Sequence, residues 1–257
     1  MVGIIVVTSV VFGTWAQAGA ATARAPKKSS TTTIPASKVA PTVLSVGSCT
    51  STSGVASTGP LWVPTTLVAM LPRTSAAALE FYSVGTETLL GPRGWSCAQL
   101  AAADGSSEMA VYPPGVANPT EGAPPSVPTQ VVYASFDYTG HLPGLDLVCA
   151  YFPSLASASQ ESCPSTVPAT EQTNQLTPDV VAITDPAGVK GNLTGSGGSW
   201  PVTGYAVAPQ SAALAGGEDV AMISCSLRTN SLRTNSLCQS ILGDFIIRDF
   251  PVPKPSS

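Results

Sequence analysis

Charge is scarce in this 257-residue chain: only 10% of its residues are Asp, Glu, Lys or Arg. Histidine occurs once, as His141, and Lys190 is the only lysine between Lys38 and Lys254. A single histidine cannot complete the usual zinc ligand sets. It also leaves thiol or serine chemistry with one imidazole base. No Gly-x-Ser-x-Gly elbow is present, so the common serine-hydrolase signature is missing. From residue 39 onward seven Lys/Arg face fifteen Asp/Glu, a formal charge of −8. Such a body lacks the basic face that nucleic acid requires. No cysteine precedes Cys49, which excludes a lipid-modified N-terminal cysteine. The apolar stretch Ile4 to Trp15 carries no charge but is too short for a comfortable membrane span.

That stretch is followed by Ala16-Gln17-Ala18, the small-x-small pattern that signal peptidase accepts. Residues 1–18 are therefore expected to be a cleaved signal peptide, with Ala20 and Ala23 as alternative ends. The positive n-region of such signals is missing from Met1-Val2-Gly3, and an uncleaved anchor is the rival reading. Residues 19–42 are rich in Ala, Thr, Ser and Pro and carry Arg24, Lys27, Lys28 and Lys38. A segment so poor in large apolar side chains cannot offset its ordering entropy, and it is expected to be a disordered basic linker. Residues 43–250 then form the exported domain, and 251–257 a frayed tail. The expected location is secreted or cell-envelope associated, with no membrane span after signal cleavage.

Six cysteines remain: Cys49, Cys97, Cys149, Cys163, Cys225 and Cys238. An even number in an exported chain reads as disulfides, and six cysteines allow fifteen pairings. Gly and Pro together number 47, which suits a β-rich fold with many turns.

Displacing the chain by 73 residues lays Pro113–Pro128 over Pro186–Pro201. Pro113, Gly115, Val116, Gly122, Ser126 and Pro128 match Pro186, Gly188, Val189, Gly195, Ser199 and Pro201, and Gly144 and Asp146 match Gly217 and Asp219. This predicts a tandem duplication, about 106–163 and 179–238. Each copy would hold a strand (Glu108–Tyr112; Val180–Thr184), a long Gly/Pro loop and a second strand (Val131–Asp137; Gly204–Ala208). A Gly-x-Asp turn then leads to an apolar segment ending in a cysteine. A local disulfide per copy favours Cys149–Cys163 and Cys225–Cys238, leaving Cys49–Cys97. The rival is two Gly/Pro-rich loops that merely look alike.

Leu67–Leu71 and Leu79–Val84 read as strand or short helix, Thr88–Leu90 as a short strand, and "LDLVCAYF" (Leu145–Phe152) as either. Leu237, Ile241, Leu242, Phe245 and Ile246 recur at three- and four-residue intervals, predicting a helix from Leu237 to about Arg248. The fold class is α+β, dominated by antiparallel strands, disulfide-stapled, with a C-terminal helix. "CSLRTNSLRTNSLC" doubles Ser-Leu-Arg-Thr-Asn and reads as a lengthened surface loop rather than a ligand-reading pair, Arg228 and Arg233.

"LLGPRGWSC", "DGSSEMAVYPPG" and "VAITDPAGVKGN" resemble uncharacterised exported proteins of high-GC Gram-positive, actinobacterial type. The resemblance covers roughly residues 79–250, and Gly-Pro-Arg-Gly-Trp-x-Cys is its most specific part. It implies an exported, cysteine-containing protein and brings no catalytic residues. The doubled SLRTN departs from the pattern.

"GPRGWSC" poses the central chemical question. Cys97 is either an exposed nucleophile, with His141 as base and Asp137 or Asp146 orienting it, or half of a disulfide under the Trp95 indole. The sequence favours the disulfide, because no thiol-protease motif surrounds Cys97. A Ser–Lys pair would have to use Lys190, which sits in a Gly-rich turn. Glu218 and Asp219 are adjacent, and Asp146 and Asp219 sit in Gly-x-Asp turns where Asp bonds its own backbone. Calcium spacing is missing there. "LPRTS" (Leu71–Ser75) resembles a sortase substrate motif but has no apolar tail after it, and "NLT" (Asn192–Thr194) is a glycosylation sequon. No cofactor or metal is called for. Trp200 and Trp95 are the candidate binding residues, since exposed aromatics hold glycans and protein partners well, although the sequence favours Trp95 as the cover of a disulfide and Trp200 as an anchor of its loop. By elimination the chain reads as a non-enzymatic exported binding protein, for envelope glycan or protein. A secreted hydrolase with an unrecognised active site is the alternative.

Overall fold

The computed structural model describes residues 39–53, 63–84, 87–102, 106–120, 130–137, 148–154, 163, 166–208, 220–228 and 232–250. The signal segment, most of the linker, His141, Asp146, Glu218, Asp219 and the 251–257 tail lie outside them. A four-stranded sheet runs in the order β3 (Thr66–Pro72), β1 (Val39–Ser48), β4 (Leu79–Val84), β5 (Glu87–Pro92). An eight-stranded sheet runs β2 (Thr50–Ser53), β6 (Ser96–Ala101), β7 (Ser106–Tyr112), β8 (Val131–Asp137), β12 (Val220–Ser226), β11 (Val202–Val207), β10 (Val180–Asp185), β9 (Gln172–Thr177). Neighbours are antiparallel except β1·β4 and β2·β6. A one-turn helix, α1 (Arg73–Ala76), follows β3, and α2 (Leu232–Asp249) closes the fold.

Two strands change sheets. β1 ends at Ser48 and β2 begins at Thr50, while β5 ends at Pro92 and β6 begins at Ser96. The GPRGWSC stretch is the second of these corners. The Tyr82 hydroxyl holds it, accepting from Trp95 N–H at 2.8 Å and donating to the Pro92 carbonyl at 2.6 Å. Across the gap, Glu87 of β5 accepts from Ser107 of β7 at 2.6 Å and from Gln99 of β6.

Period-two alternation assigns the core. On β8, Val132, Ala134 and Phe136 join a cluster with Phe81, Leu89 and Leu90 of the small sheet and Ile241, Leu242 and Phe245 of α2. Val131 and Tyr133 face the opposite side with Ala98, Ala110 and Tyr112. β12 likewise splits: Ala221, Ile223 and Cys225 join the first cluster, Val220 and Met222 a second one with Val181, Ile183, Leu193, Tyr151 and Phe152. The central strands are thus buried on both faces, which is why they read as apolar runs.

The disulfides are Cys49–Cys97, Cys149–Cys163 and Cys225–Cys238. β1 begins at Val39, inside the expected 19–42 linker, because Val39 and Ala40 pair with Pro72 and Leu71. α2 begins five residues before the expected Leu237, inside the second SLRTN copy, where neither Gly nor Pro interrupts Leu232 to Leu242. The first copy is not free loop either: Leu227 is buried beside Cys225 and Cys238 in the first cluster.

The expected tandem duplication is not established by the fold, although one turn recurs in the two stretches. Val116 N–H donates to Pro113 O at 3.3 Å, Val189 N–H to Pro186 O at 3.2 Å, and Gly115 and Gly188 have φ of 78° and 77°. These are the same Gly-requiring turn, each leaving the first strand of an antiparallel pair. The correspondence ends at the third element. The stretch ending at Cys225 is strand β12, whereas Val148–Tyr151 forms a turn, with Tyr151 N–H donating to Val148 O at 2.9 Å.

Candidate functional site

The loop from Pro186 to Pro201, between β10 and β11, is held by a dense set of hydrogen bonds. It is folded on itself. Gly188 N–H donates to Gly198 O at 2.6 Å, Gly197 N–H to Val189 O at 2.8 Å and Ser196 N–H to Leu193 O at 3.1 Å. The Ser196 hydroxyl accepts from Gly191 N–H and donates to Gly191 O. Leu193 is driven into the second apolar cluster and anchors the loop from below.

The loop is also held by two carboxyls. Val181, Ile183 and Asp185 point to one face of β10 by the period of two, so Asp185 sits at the rim of that same cluster. Asp185 is 0% exposed and Glu171 8%. Leu193 N–H donates to Asp185 Oδ2 at 3.2 Å, and Asn192 N–H to Glu171 Oε2 at 3.0 Å. The buried Tyr151 hydroxyl donates to Glu171 Oε1 at 2.9 Å. Asp185 Oδ1 has no partner. Burial pushes the Asp185 carboxyl up to about 7, reinforced by a hydrogen bond to Glu171 and by its charge and opposed by Leu193 N–H. Burial likewise raises the Tyr151 hydroxyl.

On the outer side, Trp200 is half-buried and the Arg228 guanidinium lies over its ring at 5.6 Å. Arg228 follows β12, is exposed, and is fixed by its backbone N–H donating to Gln130 Oε1 at 2.8 Å. A guanidinium over an indole face is a cation–π contact. The guanidinium covers one face of the half-buried indole and fixes the ring at the loop's outer side.

The other sequence candidates separate. Cys97 is bonded to Cys49, and no described cysteine is free, so the thiol nucleophile is excluded. Trp95 is half-buried and packs on the core cluster containing Cys97. Asp137 is buried at the end of β8 and engaged there. Lys190 is exposed on the 186–201 loop. Asn192 Nδ2 donates to Thr166 O at 3.1 Å, so the sequon amide is occupied. Leu71 and Ser75 are buried, which closes LPRTS to a sortase. The Arg233 side chain lies outside the described residues. Among the described residues no three Asp, Glu, His or Cys side chains gather as a metal site.

Sequence reasoning missed the Glu171–Asp185–Tyr151 cluster. Its only local trace is Asp185 before Pro186-Ala187-Gly188, which reads as a turn. The partners are 14 and 34 residues away, and no periodicity joins them.

These features define a strand-dominated α+β protein with a C-terminal helix, stapled by three disulfides of the kind found in extracellular proteins. No helix among the described residues is long and apolar enough to cross a membrane. No family model, curated protein or solved structure matches the chain.

Proposed function

We propose that this is an exported, non-enzymatic binding protein of the cell envelope or extracellular space, whose contact surface is the 186–201 loop with Trp200 and Arg228. The observation that carries the reading is the Trp200–Arg228 pair on a loop already fixed by its own hydrogen bonds. A preformed loop loses little conformational freedom on binding, so its aromatic contact converts into affinity. The Glu171–Asp185 carboxyl pair is buried against Tyr151 and the loop backbone, which suits holding the loop rather than touching a substrate. The export signal at 1–18, the basic linker expected over 19–42 and the actinobacterial resemblance belong to the same proposal.

The test is retention of the secreted protein on isolated cell envelope or wall glycan. Wild type is expected to be retained and Trp200→Ala to wash through. Equal washing of both sinks the reading. Turnover in an ester, peptide and glycoside screen, lost on one Ser, carboxylate or His141 substitution, would establish the hydrolase instead.

A further inference from the structure

We infer that Glu171 and Asp185 share a single proton in the folded protein, and that this proton is the latch holding the 186–201 loop in its fixed shape. The inference deepens the binding reading: it rests on that reading for its consequence, control of the Trp200–Arg228 surface by pH, and on the buried carboxyl cluster for the shared proton.

The accounting of oxygens is nearly closed. The two carboxyls have four oxygens. Glu171 Oε1 receives Tyr151 O–H, Glu171 Oε2 receives Asn192 N–H, and Asp185 Oδ2 receives Leu193 N–H. Asp185 Oδ1 receives nothing, although it is completely buried. A buried acceptor without a donor costs free energy. Protonating that oxygen turns the orphan acceptor into a donor, and the Glu171 carboxyl is within hydrogen-bond reach to accept. Two like charges so close and so buried do not both ionise readily, the situation of any carboxyl dyad.

The groups facing Asp185 are Glu171, just before β9, and Tyr151, from the 148–154 segment. Among the described residues no lysine or arginine pairs with either carboxyl. A cation fits the space poorly. A methyl group on Gly191 would stand 1.7 Å from Asp185 Oδ1, so the loop backbone already closes over this carboxyl.

The sign follows from linkage. The folded-state value for Asp185, about 7, lies above its ordinary value of 3.8. The folded chain therefore keeps a proton that the unfolded chain has already released. The stabilisation is fully present below about pH 4 and is lost as pH rises through about 7. Above that, two buried anions repel between β10 and the residue before β9, a cost that the Asn192 and Leu193 N–H groups offset only in part.

The test uses the secreted, disulfide-intact protein. Its thermal midpoint is expected to fall by about 5 °C from pH 5 to pH 8. Asp185→Asn carries the donor permanently and is expected to flatten that profile, whereas Glu171→Gln leaves Asp185 buried and ionisable and is expected to make the slope shallower without abolishing it. A flat wild-type profile, or variants that keep the wild-type slope, would overturn the inference. Should neither variant fold, carboxyl carbon NMR of labelled wild type decides: one carboxyl titrating near 7 supports the shared proton, and all titrating below about 5 refutes it. If millimolar calcium raises the wild-type midpoint at pH 8 and leaves Asp185→Asn unmoved, the site holds a cation and the latch is wrong. None of these readouts depends on a ligand. Failure of the latch and failure of envelope retention at pH 5 are therefore separate results.

Discussion

Cys49 and Cys97 are bonded, with Cα atoms 4.6 Å apart, at the corner where two strands leave the small sheet for the large one. Cys49 is the single residue between β1 and β2, and Cys97 is the second residue of β6. The bond sits where β1 runs parallel to β4 and β2 runs parallel to β6, so it ties both crossings at once. Parallel neighbours cannot be joined by a tight hairpin. A covalent tie at the crossing fixes what no turn could. The 48-residue separation gives about 4 kcal/mol of chain-entropy stabilisation. The Cys49→Ser/Cys97→Ser variant is expected to lose roughly that amount in urea unfolding. A loss under about 1 kcal/mol would mean the corner is held by Tyr82 and Glu87 instead.

All six cysteines are expected to be oxidised in the secreted protein. Intact mass after thiol alkylation should show no adduct before reduction and six after it. The same spectrum reads the N-terminus, and removal of residues 1–18 is the expected result. An adduct on Cys97 without reduction would reopen thiol chemistry.

Asp244 docks α2 onto the small sheet. Its Oδ1 accepts Met70 N–H at 3.1 Å, and its Oδ2 lies 3.5 Å from Arg248 Nε. Arg248 donates to Thr88 O at 2.9 Å and stacks over Phe81 at 5.2 Å. Burial raises the Asp244 carboxyl, and Arg248 and Met70 N–H oppose that rise. Asp244→Ala leaves a mostly buried guanidinium and an edge-strand N–H without this partner. It should cost about 3 kcal/mol. Asp244→Asn, which keeps an acceptor for Met70, should cost less. Equal losses in chemical denaturation would contradict the account.

Gly204 lies where β11 passes under the loop. A Cβ there would stand 2.3 Å from Ile223 O and 2.9 Å from Leu193 Cδ2. Gly204→Ala must push β11 from β12 or lift Leu193, and a loss of about 3 kcal/mol is expected. Gly243→Ala, on α2 with open space around its Cβ, should stabilise by up to about 1 kcal/mol, since Ala is the better helix former. Thermal unfolding of the two variants checks the contrast.

Several strands were legible because their residues form short apolar runs. Val131–Asp137 is β8 with the expected bounds, and Leu79–Val84, which reads as strand or short helix, is β4. β9 was not legible: Gln172, Thr173, Asn174 and Gln175 are exposed on an edge, so no apolar alternation is required of them. β2 and β6 are built largely from small and polar residues, and only pairing makes them strands. Trp200 was legible as a candidate because an indole in a Gly/Ser loop stands out, but its partner Arg228 stood in a stretch that reads as a doubled surface loop. The Glu171–Asp185 pair depends on contacts that β9 and β10 create together, and a linear pattern carries no trace of that.

The most direct test of the account is a double-mutant cycle at Trp200 and Arg228, read as affinity of the secreted protein for isolated cell envelope. Trp200→Ala is expected to weaken binding about 30-fold, the effect of truncating an aromatic hot spot worth about 2 kcal/mol. Arg228→Ala should weaken it less, and the double variant should match Trp200→Ala, because the guanidinium acts through the ring. Unchanged affinity for all three variants would contradict the assignment of this loop as the contact surface.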